Sequence, residues 1–222
     1  MSVLVPREAY RLWAPAYEAE NAVTFLESAL VAELGPSPEG LRLLDAGCGT
    51  GRRLAHTGAA RAIGIDLSPE MLAEGRRNPA LAGVELVEGD VRALPFADRS
   101  FDLVWCRLVI GHLALPDAAY AELARVAAPG ATVVVTDFHA AAYAAGHRRT
   151  FRIGTQVHEA IHHARPAETL IRAAERAGLA LRAQSEAAIG PEVRGCYEAA
   201  GRLALYDKHR GLPIVLALAF AR

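Results

Sequence analysis

Three aspartates in the first half of the chain each follow an apolar run that reads as a buried strand. Asp45 lies at the end of LRLLDA, Asp66 closes RAIGID, and Asp90 closes GVELVEGD. A carboxylate accepts hydrogen bonds from hydroxyl and amine groups and attracts cations, whereas it repels phosphate. Acids at three successive strand ends therefore predict a ligand that presents an amine, a ribose and an adenine but carries no phosphate.

The turn that follows Asp45 is rich in glycine. Gly47, Gly49 and Gly51 in GCGTG let the chain turn sharply and let a ligand touch the backbone. A dinucleotide-binding turn has the spacing G-x-G-x-x-G, and here the third glycine arrives one residue early. S-adenosylmethionine fits this pattern, because it has the amine, the ribose and the adenine, and its sulfonium adds a positive charge.

Alternating strand and helix patterns are expected to position these residues. Continuous Val, Ile and Leu runs indicate strands covered on both faces, and strands separated by helices indicate a parallel, doubly wound sheet. Further strands are predicted at FDLVWCRLV, ATVVVTDF, LALRAQSE and PIVLALAFAR, the last being too short to span a membrane. Helices are predicted at GRRLAHTG, SPEMLAEGRR (with Ser68 as N-cap), PDAAYAELARVAA and RPAETLIRAAERAG, and residues 190–212 read as a helix plus a loop.

We predict one domain over residues 1–222, divided into four segments. In chain order these are an N-terminal helical lid at 1–40, a cofactor-binding core at 41–139, a cap insertion at 140–165, and a C-terminal helix with strands at 166–222. The lid carries Tyr10, Trp13 and Tyr17 at helical spacing, which also suits the packed face of a helix.

The composition narrows the function classes. Of the 222 residues 52 % are hydrophobic, enough for a sizeable core, and the net charge of -1 gives no basic footprint for nucleic acid. The three cysteines are odd in number and lack CxxC spacing, which fits a reducing cytoplasm, and the N-terminus lacks a signal-peptide pattern. We therefore expect a cytoplasmic protein without nucleic-acid or membrane partners, and the sequence leaves the oligomeric state open.

Four motifs together resemble class I S-adenosylmethionine-dependent methyltransferases of the small-molecule type: LLDAGCGTG, GIDLSPEML, GDVRALPFADRSFDLVWCRLVIGHL and ELARVAAPGATVVVTDF. The resemblance covers residues 10–139 well and the remainder loosely. It implies an α/β, Rossmann-like, doubly wound sheet of seven mostly parallel strands with the last strand antiparallel, N-terminal helices and a cap insertion. It also implies an enzyme that methylates oxygen or nitrogen of a small-molecule acceptor.

The resemblance assigns the cofactor site residue by residue. Asp45 and the glycine turn face the methionine end, Asp66 holds the ribose, and Asp90 recognises the adenine edge. The other residues that it implies are Tyr17, Gly47, Cys48, Gly49, Gly51, Leu67, Met71, Val91, Cys106 and Arg107. Two assignments have simpler alternatives, since Met71 beside Leu72 suits a core position and Asp45 suits a strand-end cap.

Two histidines are candidate general bases. His112 and His139 follow the fourth and fifth predicted strands. Histidine titrates near neutral pH, which suits proton removal from a hydroxyl or amine acceptor. We favour His112, because the resembled family often places residues close to the substrate there. Either histidine also suits a structural role, and a carboxylate acceptor would need no base.

The stretch HEAIH at 158–162 matches the H-E-x-x-H pattern of zinc hydrolases. On a helix, His158 and His162 would share a face and Glu159 would be the base. No third ligand is identifiable, so we expect no metal site and assign the stretch to the substrate cap.

The sequence defines the methyl acceptor less well than it defines the cofactor. Arg148, Arg149 and Arg152 suit pairing with a carboxylate or phosphate on the acceptor, or a solvated turn. The layout of the chain is similar to methyltransferases that esterify a malonyl group on acyl carrier protein, and to natural-product and quinone-pathway enzymes. A non-catalytic cofactor-binding subunit is the other alternative that the residues leave open.

Overall fold

The computed structural model describes residues 2–222, whose ten strands form two sheets. In chain order the strands are β1 (Ser2–Leu4), β2 (Arg42–Ala46), β3 (Arg61–Asp66), β4 (Glu85–Glu88), β5 (Phe101–Arg107), β6 (Ala127–Phe138), β7 (Thr150–Ile153), β8 (Gln156–Ala160), β9 (Ala180–Ala188) and β10 (Pro213–Ala221). The large sheet has the spatial order β4-β3-β2-β5-β6-β10-β9, and the small sheet has the order β1-β8-β7.

Eight α-helices lie between the strands. They are α1 (Pro6–Trp13), α2 (Ala22–Leu34), α3 (Pro69–Arg76), α4 (Asp117–Val126), α5 (Ala140–Ala144), α6 (Ala167–Arg176), α7 (Arg194–Ala199) and α8 (Leu203–His209). As predicted, Ser68 caps α3 by accepting a hydrogen bond from the N–H of Met71. Asn21 and Thr24 form a capping box that starts α2. Local side-chain chemistry therefore fixes where both helices begin.

Six strands of the large sheet run parallel, and β10 runs antiparallel to both of its neighbours. This confirms the predicted seven-stranded, doubly wound sheet with an antiparallel last strand. The chain moves outward from β2 to β4 and then returns to add β5 and β6 on the other side of β2. The order of the strands thus reverses between β2 and β5, where open α/β sheets bind their ligands.

Both faces of the large sheet are covered, as the continuous apolar runs predicted. Tyr120 and Leu123 of α4 are buried with Leu170 of α6 on one face. Leu26 and Leu30 of α2 are buried against β10 on the other face. Full burial of one such side chain contributes roughly 1.5–3 kcal/mol, so these two layers hold the strand ends in place.

The segment after the glycine turn differs from its prediction. GRRLAHTG forms a 3-10 turn at Arg52–Leu54 in place of an α-helix. The backbone enters the left-handed region at His56, with φ of 57°, and at Gly58, with φ of 68°. Right-handed helical geometry cannot continue through such residues.

The predicted cap insertion pairs with the N-terminus in a way that the sequence analysis did not foresee. The hairpin of β7 and β8 joins β1, which runs parallel to β8 with Val3 opposite Glu159. Ala9 of α1 packs on this sheet with Phe151 and Ala160, and all three are buried. The lid and the insertion are therefore one packed unit. Among residues 2–222, no helix is both long and apolar enough to cross a membrane.

Candidate active site

A cavity of about 530 Å³ lies at the carboxyl ends of the parallel strands, at the reversal point between β2 and β5. Its lining includes nine of the predicted residues: Tyr17, Gly47, Gly49, Asp66, Leu67, Asp90, Val91, Arg107 and His112. The volume is in the range of small-molecule sites, so the topology gathers residues from the lid and four strand ends around a space of cofactor size.

The glycine turn presents bare backbone to this cavity. Gly47 and Gly49 have φ of 84° and 61°, in the left-handed region that favours glycine. A Cβ on Gly47 would lie only 2.3 Å from Cγ2 of Val109. Conformation and space therefore both exclude a larger residue there, and a ligand can approach the main chain.

Asp66 at the end of β3 braces the turn. Its Oδ2 accepts a hydrogen bond from the N–H of Gly49 at 2.7 Å, and its Oδ1 accepts from the N–H of Ser68 at 2.9 Å. Burial raises the pKa of Asp66 above its usual value, although these backbone donors oppose the rise. Each carboxylate oxygen can accept a further hydrogen bond, so Asp66 can hold two ligand hydroxyls while it braces the turn.

Asp45 is a buried carboxylate without a partner. The residue is 0 % exposed, and neither carboxylate oxygen has a hydrogen-bond partner in residues 2–222. Burial raises the pKa of Asp45 to about 6, while Arg107 and Arg53 act to lower it. A strand-end cap would bond the backbone, so that alternative is not supported. An unpaired acid two residues before Gly47 fits a ligand that brings a cation.

Glu27 on α2 holds Arg107 in position, a contact that the sequence analysis missed. Nε and Nη2 of Arg107 each donate to Glu27 at 2.8 Å, and Nη2 of Arg53 lies 2.8 Å from Oε2. Burial acts to raise the pKa of Glu27, but the two arginines and the Thr136 hydroxyl outweigh it and hold the pKa below its usual value. The available signal was that Glu27, unlike Glu33, shares the apolar stripe of FLESALVAEL with Leu30, Val31 and Leu34.

His112 is held in one tautomer by a chain of hydrogen bonds. Its Nδ1–H donates to the carbonyl of Ile161 at 2.8 Å, so its Nε2 accepts from the Tyr10 hydroxyl at 2.8 Å. The Tyr10 oxygen in turn accepts from Nη2 of Arg149 at 2.9 Å. Burial, together with the nearby Arg149 charge, lowers the pKa of His112 to about 3. His112 is therefore a neutral imidazole whose acceptor nitrogen is already engaged.

Comparison with known proteins shows which proteins this chain resembles. Residues 44–135 match the family model described as a methyltransferase domain. This stretch is therefore similar to a methyltransferase domain. Malonyl-[acyl-carrier protein] O-methyltransferase of Enterobacter lignolyticus is 36 % identical over 126 residues, covering 55 % of this chain and 49 % of that protein. Demethylmenaquinone methyltransferase of Renibacterium salmoninarum is 33 % identical over 132 residues, covering 56 % of this chain and 55 % of that protein. The chain thus spans about half the length of the curated relatives that it matches.

Solved structures are similar in fold to this chain over nearly its whole length. A methyltransferase from Mesorhizobium loti described as S-adenosylmethionine dependent has a TM-score of 0.67 at 23 % identity, covering 89 % of this chain and 98 % of its own. The [4+2]-cyclase SpnF has a TM-score of 0.72 at 22 % identity, covering 97 % and 94 % of the two chains. At this identity the similarity shows the fold alone. The two solved structures are named for different reactions, methyl transfer and a [4+2] cyclisation, so one fold supports both.

Asp90 lines the cavity as one half of an ion pair. The Nε of Arg92 donates to Oδ1 of Asp90 at 3.0 Å, and the backbone N–H of Arg92 donates to the same oxygen at 2.8 Å. These hydrogen bonds hold the pKa of Asp90 below its usual value. Asp90 is therefore ionised at neutral pH and is ready to accept hydrogen bonds.

Five predicted residues of the cofactor set do not line the cavity: Asp45, Cys48, Gly51, Met71 and Cys106. Met71 is only 1 % exposed and lies behind the turn, where its Cε would be 3.0 Å from a Cβ on Gly49. Cys106 belongs to the buried core of the domain. Met71 is thus a core residue that supports the turn, as its simpler alternative proposed.

His139, the second candidate base, lies outside the cavity and makes structural contacts. Its Nδ1 accepts a hydrogen bond from the N–H of Ala141 at 3.0 Å, which caps α5. Its Nε2 lies 3.4 Å from Oε1 of Glu186. His139 does not line the cavity, so of the two histidines only His112 faces it.

The HEAIH stretch lies on β8 and the following loop, and not on the helix that the zinc pattern requires. The His158 ring bonds the hydroxyl of Ser2 at 2.7 Å, while Nε2 of the buried His162 lies 3.4 Å from Oδ1 of Asp137. Within residues 2–222, no group of three or more His, Cys, Asp or Glu side chains is arranged to hold a metal ion. The H-E-x-x-H match therefore does not correspond to the helical arrangement that a zinc hydrolase site requires.

Proposed function

We propose that this chain transfers a methyl group from S-adenosylmethionine to a small-molecule acceptor. The observation that carries the proposal is the unpartnered Asp45 behind a bare glycine turn, with Asp66 and Asp90 on the same cavity. A diphosphate would face the Asp66 and Asp90 carboxylates there, with the Asp45 charge behind the turn, and all three would repel it, whereas they would attract a cationic adenosyl compound.

The residues fit this cofactor group by group. Asp66 is suited to the ribose hydroxyls, and Asp90 to the exocyclic amine of the adenine, with Leu67 and Val91 beside the ring. Asp45 lies buried behind the glycine turn, where its charge would attract the ammonium and the sulfonium of the methionine end. Burying an unpaired ionised group is costly, and a cationic ligand removes that cost.

The protein's own contribution is mainly orientation. When bound, S-adenosylmethionine supplies an activated methyl group on a sulfonium. Tyr17 lines the cavity at the lid, and the Glu27–Arg107 pair ties α2 to the end of β5. Rigid positioning of two reactants can supply about 7–11 kcal/mol of the barrier, so these lid contacts are central to the proposal.

His112 is a poor base in its present state. Its pKa of about 3 lies far below neutrality, and the Tyr10 hydroxyl occupies Nε2. This favours an acceptor that is already ionised, such as a carboxylate, over a hydroxyl that must lose a proton. Carboxyl methylation of a malonyl-type thioester is therefore the second candidate, and the similarity to malonyl-[acyl-carrier protein] O-methyltransferase agrees with it.

The proposal is tested by radiolabelled methyl transfer. Purified protein is incubated with the labelled cofactor and a panel of carboxylate, hydroxyl and amine acceptors, and the incorporated label is counted. We expect transfer to at least one acceptor. Asp66→Asn should weaken cofactor binding, and Asp207→Asn, an exposed change on α8, should not.

The experiment also separates the alternatives. Transfer to carboxylates alone supports the second candidate. Cofactor binding without transfer to any acceptor supports a non-catalytic subunit. Absence of both binding and transfer contradicts the proposal. Because His112 is a poor base, His112→Ala should retain turnover with a carboxylate acceptor, and a large loss of turnover at unchanged cofactor affinity would return His112 to the mechanism.

A further inference from the structure

A second cavity of about 480 Å³ adjoins the cofactor cavity, and Tyr17 lines both. The second cavity lies between the lid, the insertion and the C-terminal helices α7 and α8. Its aromatic and aliphatic lining includes Trp13, Phe138, Tyr197, Leu205 and Ile214. A space of this size with an apolar lining suits a small organic molecule.

The charged lining of this second cavity is mostly positive. Arg148, Arg149 and Arg202 line it, and Glu20 is the one acidic side chain among its lining residues. Arg148 is already engaged, because its guanidinium stacks 3.9 Å above the Tyr143 ring and lies 3.7 Å from Glu159. The available charges are therefore Arg149 and Arg202.

Arg149 is the more informative of the two. Within residues 2–222 its guanidinium has no carboxylate within 4.0 Å, and its buried Nε has no hydrogen-bond partner. Its one side-chain hydrogen bond runs from Nη2 to the Tyr10 hydroxyl. An arginine that is largely buried without a carboxylate has unmet hydrogen-bonding and charge requirements, and a carboxylate or a phosphate matches its planar fork.

Arg202 adds a second cation at another part of the lining. Its side chain is exposed and forms no ion pair with another residue in 2–222. Two arginine side chains beside an aromatic lining together indicate an anionic ligand with an apolar part, which neither arginine indicates alone.

We infer that this second cavity binds the methyl acceptor, and that the acceptor is an organic anion with an apolar body. The inference rests on the proposed function, because it takes the neighbouring cavity as the site of the methyl donor. The anion, a carboxylate or a phosphate, pairs with Arg149 and Arg202. The apolar body packs on the aromatic and aliphatic lining, and the reacting atom of the acceptor faces the methyl group past Tyr17, which lines both cavities.

The test is isothermal titration of the protein saturated with S-adenosylhomocysteine. The probes are 3-phenylpropionate, phenyl phosphate and the neutral 3-phenylpropanamide. We expect at least one anion to bind about 10-fold or more tightly than the amide, because a hydrogen bond to a charged group is stronger than one to a neutral group. The two anionic probes distinguish a carboxylate ligand from a phosphate ligand.

Variants assign the effect to residues. Arg149→Met should weaken the anion about 10–100-fold, Arg202→Met, whose side chain is exposed, about 2–5-fold, and both should weaken the amide much less. Arg182→Met, an exposed change on β9 away from this cavity, is the matched control and should bind as the wild type does. Arg202 is exposed, so its variant keeps the test open if Arg149→Met does not fold.

The outcomes separate this inference from the proposed function. Equal binding of anion and amide, or anion binding that survives both variants, overturns the inference. In either case binding of S-adenosylhomocysteine and methyl transfer to an uncharged acceptor would leave the proposed function standing. Failure to bind S-adenosylhomocysteine would overturn both.

Discussion

Replacing Asp45 by Asn should stabilise the ligand-free protein and weaken its affinity for S-adenosylmethionine. The carboxylate is fully buried and has no hydrogen-bond partner, and its pKa rises from 3.8 to about 6 because of burial. The folded state therefore binds more protons than the unfolded chain between these two pH values. Consequently Asp45 lowers the stability of the wild type as the pH rises from about 4 to 6.

The magnitude follows from the same pKa. A tenfold change in an ionisation constant corresponds to about 1.4 kcal/mol, so ionised Asp45 costs the folded protein roughly 3 kcal/mol at pH 7. Asn has the shape of the protonated carboxyl and carries no charge, so the substitution should recover about 2–3 kcal/mol. In a chain of this length that gain raises the melting temperature by about 4–12 °C.

The assay is thermal and urea unfolding of ligand-free protein at pH 4.5 and 7.5, with calorimetric titration of the cofactor. The stability gain of Asp45→Asn should be present at pH 7.5 and much smaller at pH 4.5, and the cofactor should bind at least about 10-fold more weakly. Asp102→Asn is the control, since the Arg42 hydrogen bonds lower the pKa of Asp102 to about 2 and no gain is expected. A variant that is less stable than the wild type at pH 7.5 would refute the reasoning, because the charge would then be satisfied within the protein.

Three further predictions concern the turn, the buried ion pairs and the histidine. Gly47→Ala should abolish cofactor binding in the same titration, because its Cβ enters occupied space at a φ of 84°. Glu27→Ala should lower the free energy of unfolding by roughly 3–5 kcal/mol in urea, because it leaves Arg107 and Arg53 without their carboxylate. The rate of methyl transfer should show no histidine inflection between pH 5.5 and about 8, because His112 titrates at about 3. An inflection near 6.5 that disappears in His112→Ala would contradict this last prediction.

The sequence predicted the large sheet because its strands leave strong local patterns. The runs that form β2, β3, β5, β6 and β10 are continuous in apolar residues, and this pattern is typical of strands covered on both faces. β1 and β8 pair across more than 150 residues of chain, and neither carries a distinctive pattern. The helix predicted after the glycine turn was wrong, because the left-handed backbone at His56 cannot be read from a propensity.

The candidate site, like the fold, was predictable from the sequence only in part. Asp66 and the glycine turn were identifiable because they lie at the ends of predictable strands. The tyrosine–histidine contact between Tyr10 and His112 joins residues 102 positions apart, and the packing of the lid decides it. Sequence alone therefore indicated a base at His112, whereas its burial near Arg149 makes it a neutral acceptor.

Calorimetric titration of the wild-type protein with S-adenosylhomocysteine and with NAD, at neutral pH and moderate salt, tests the central claim most directly. Acids at the strand ends around a bare glycine turn should bind the adenosyl amino acid in a one-to-one complex and show no heat with the dinucleotide. Saturable binding of NAD without binding of S-adenosylhomocysteine would contradict the account.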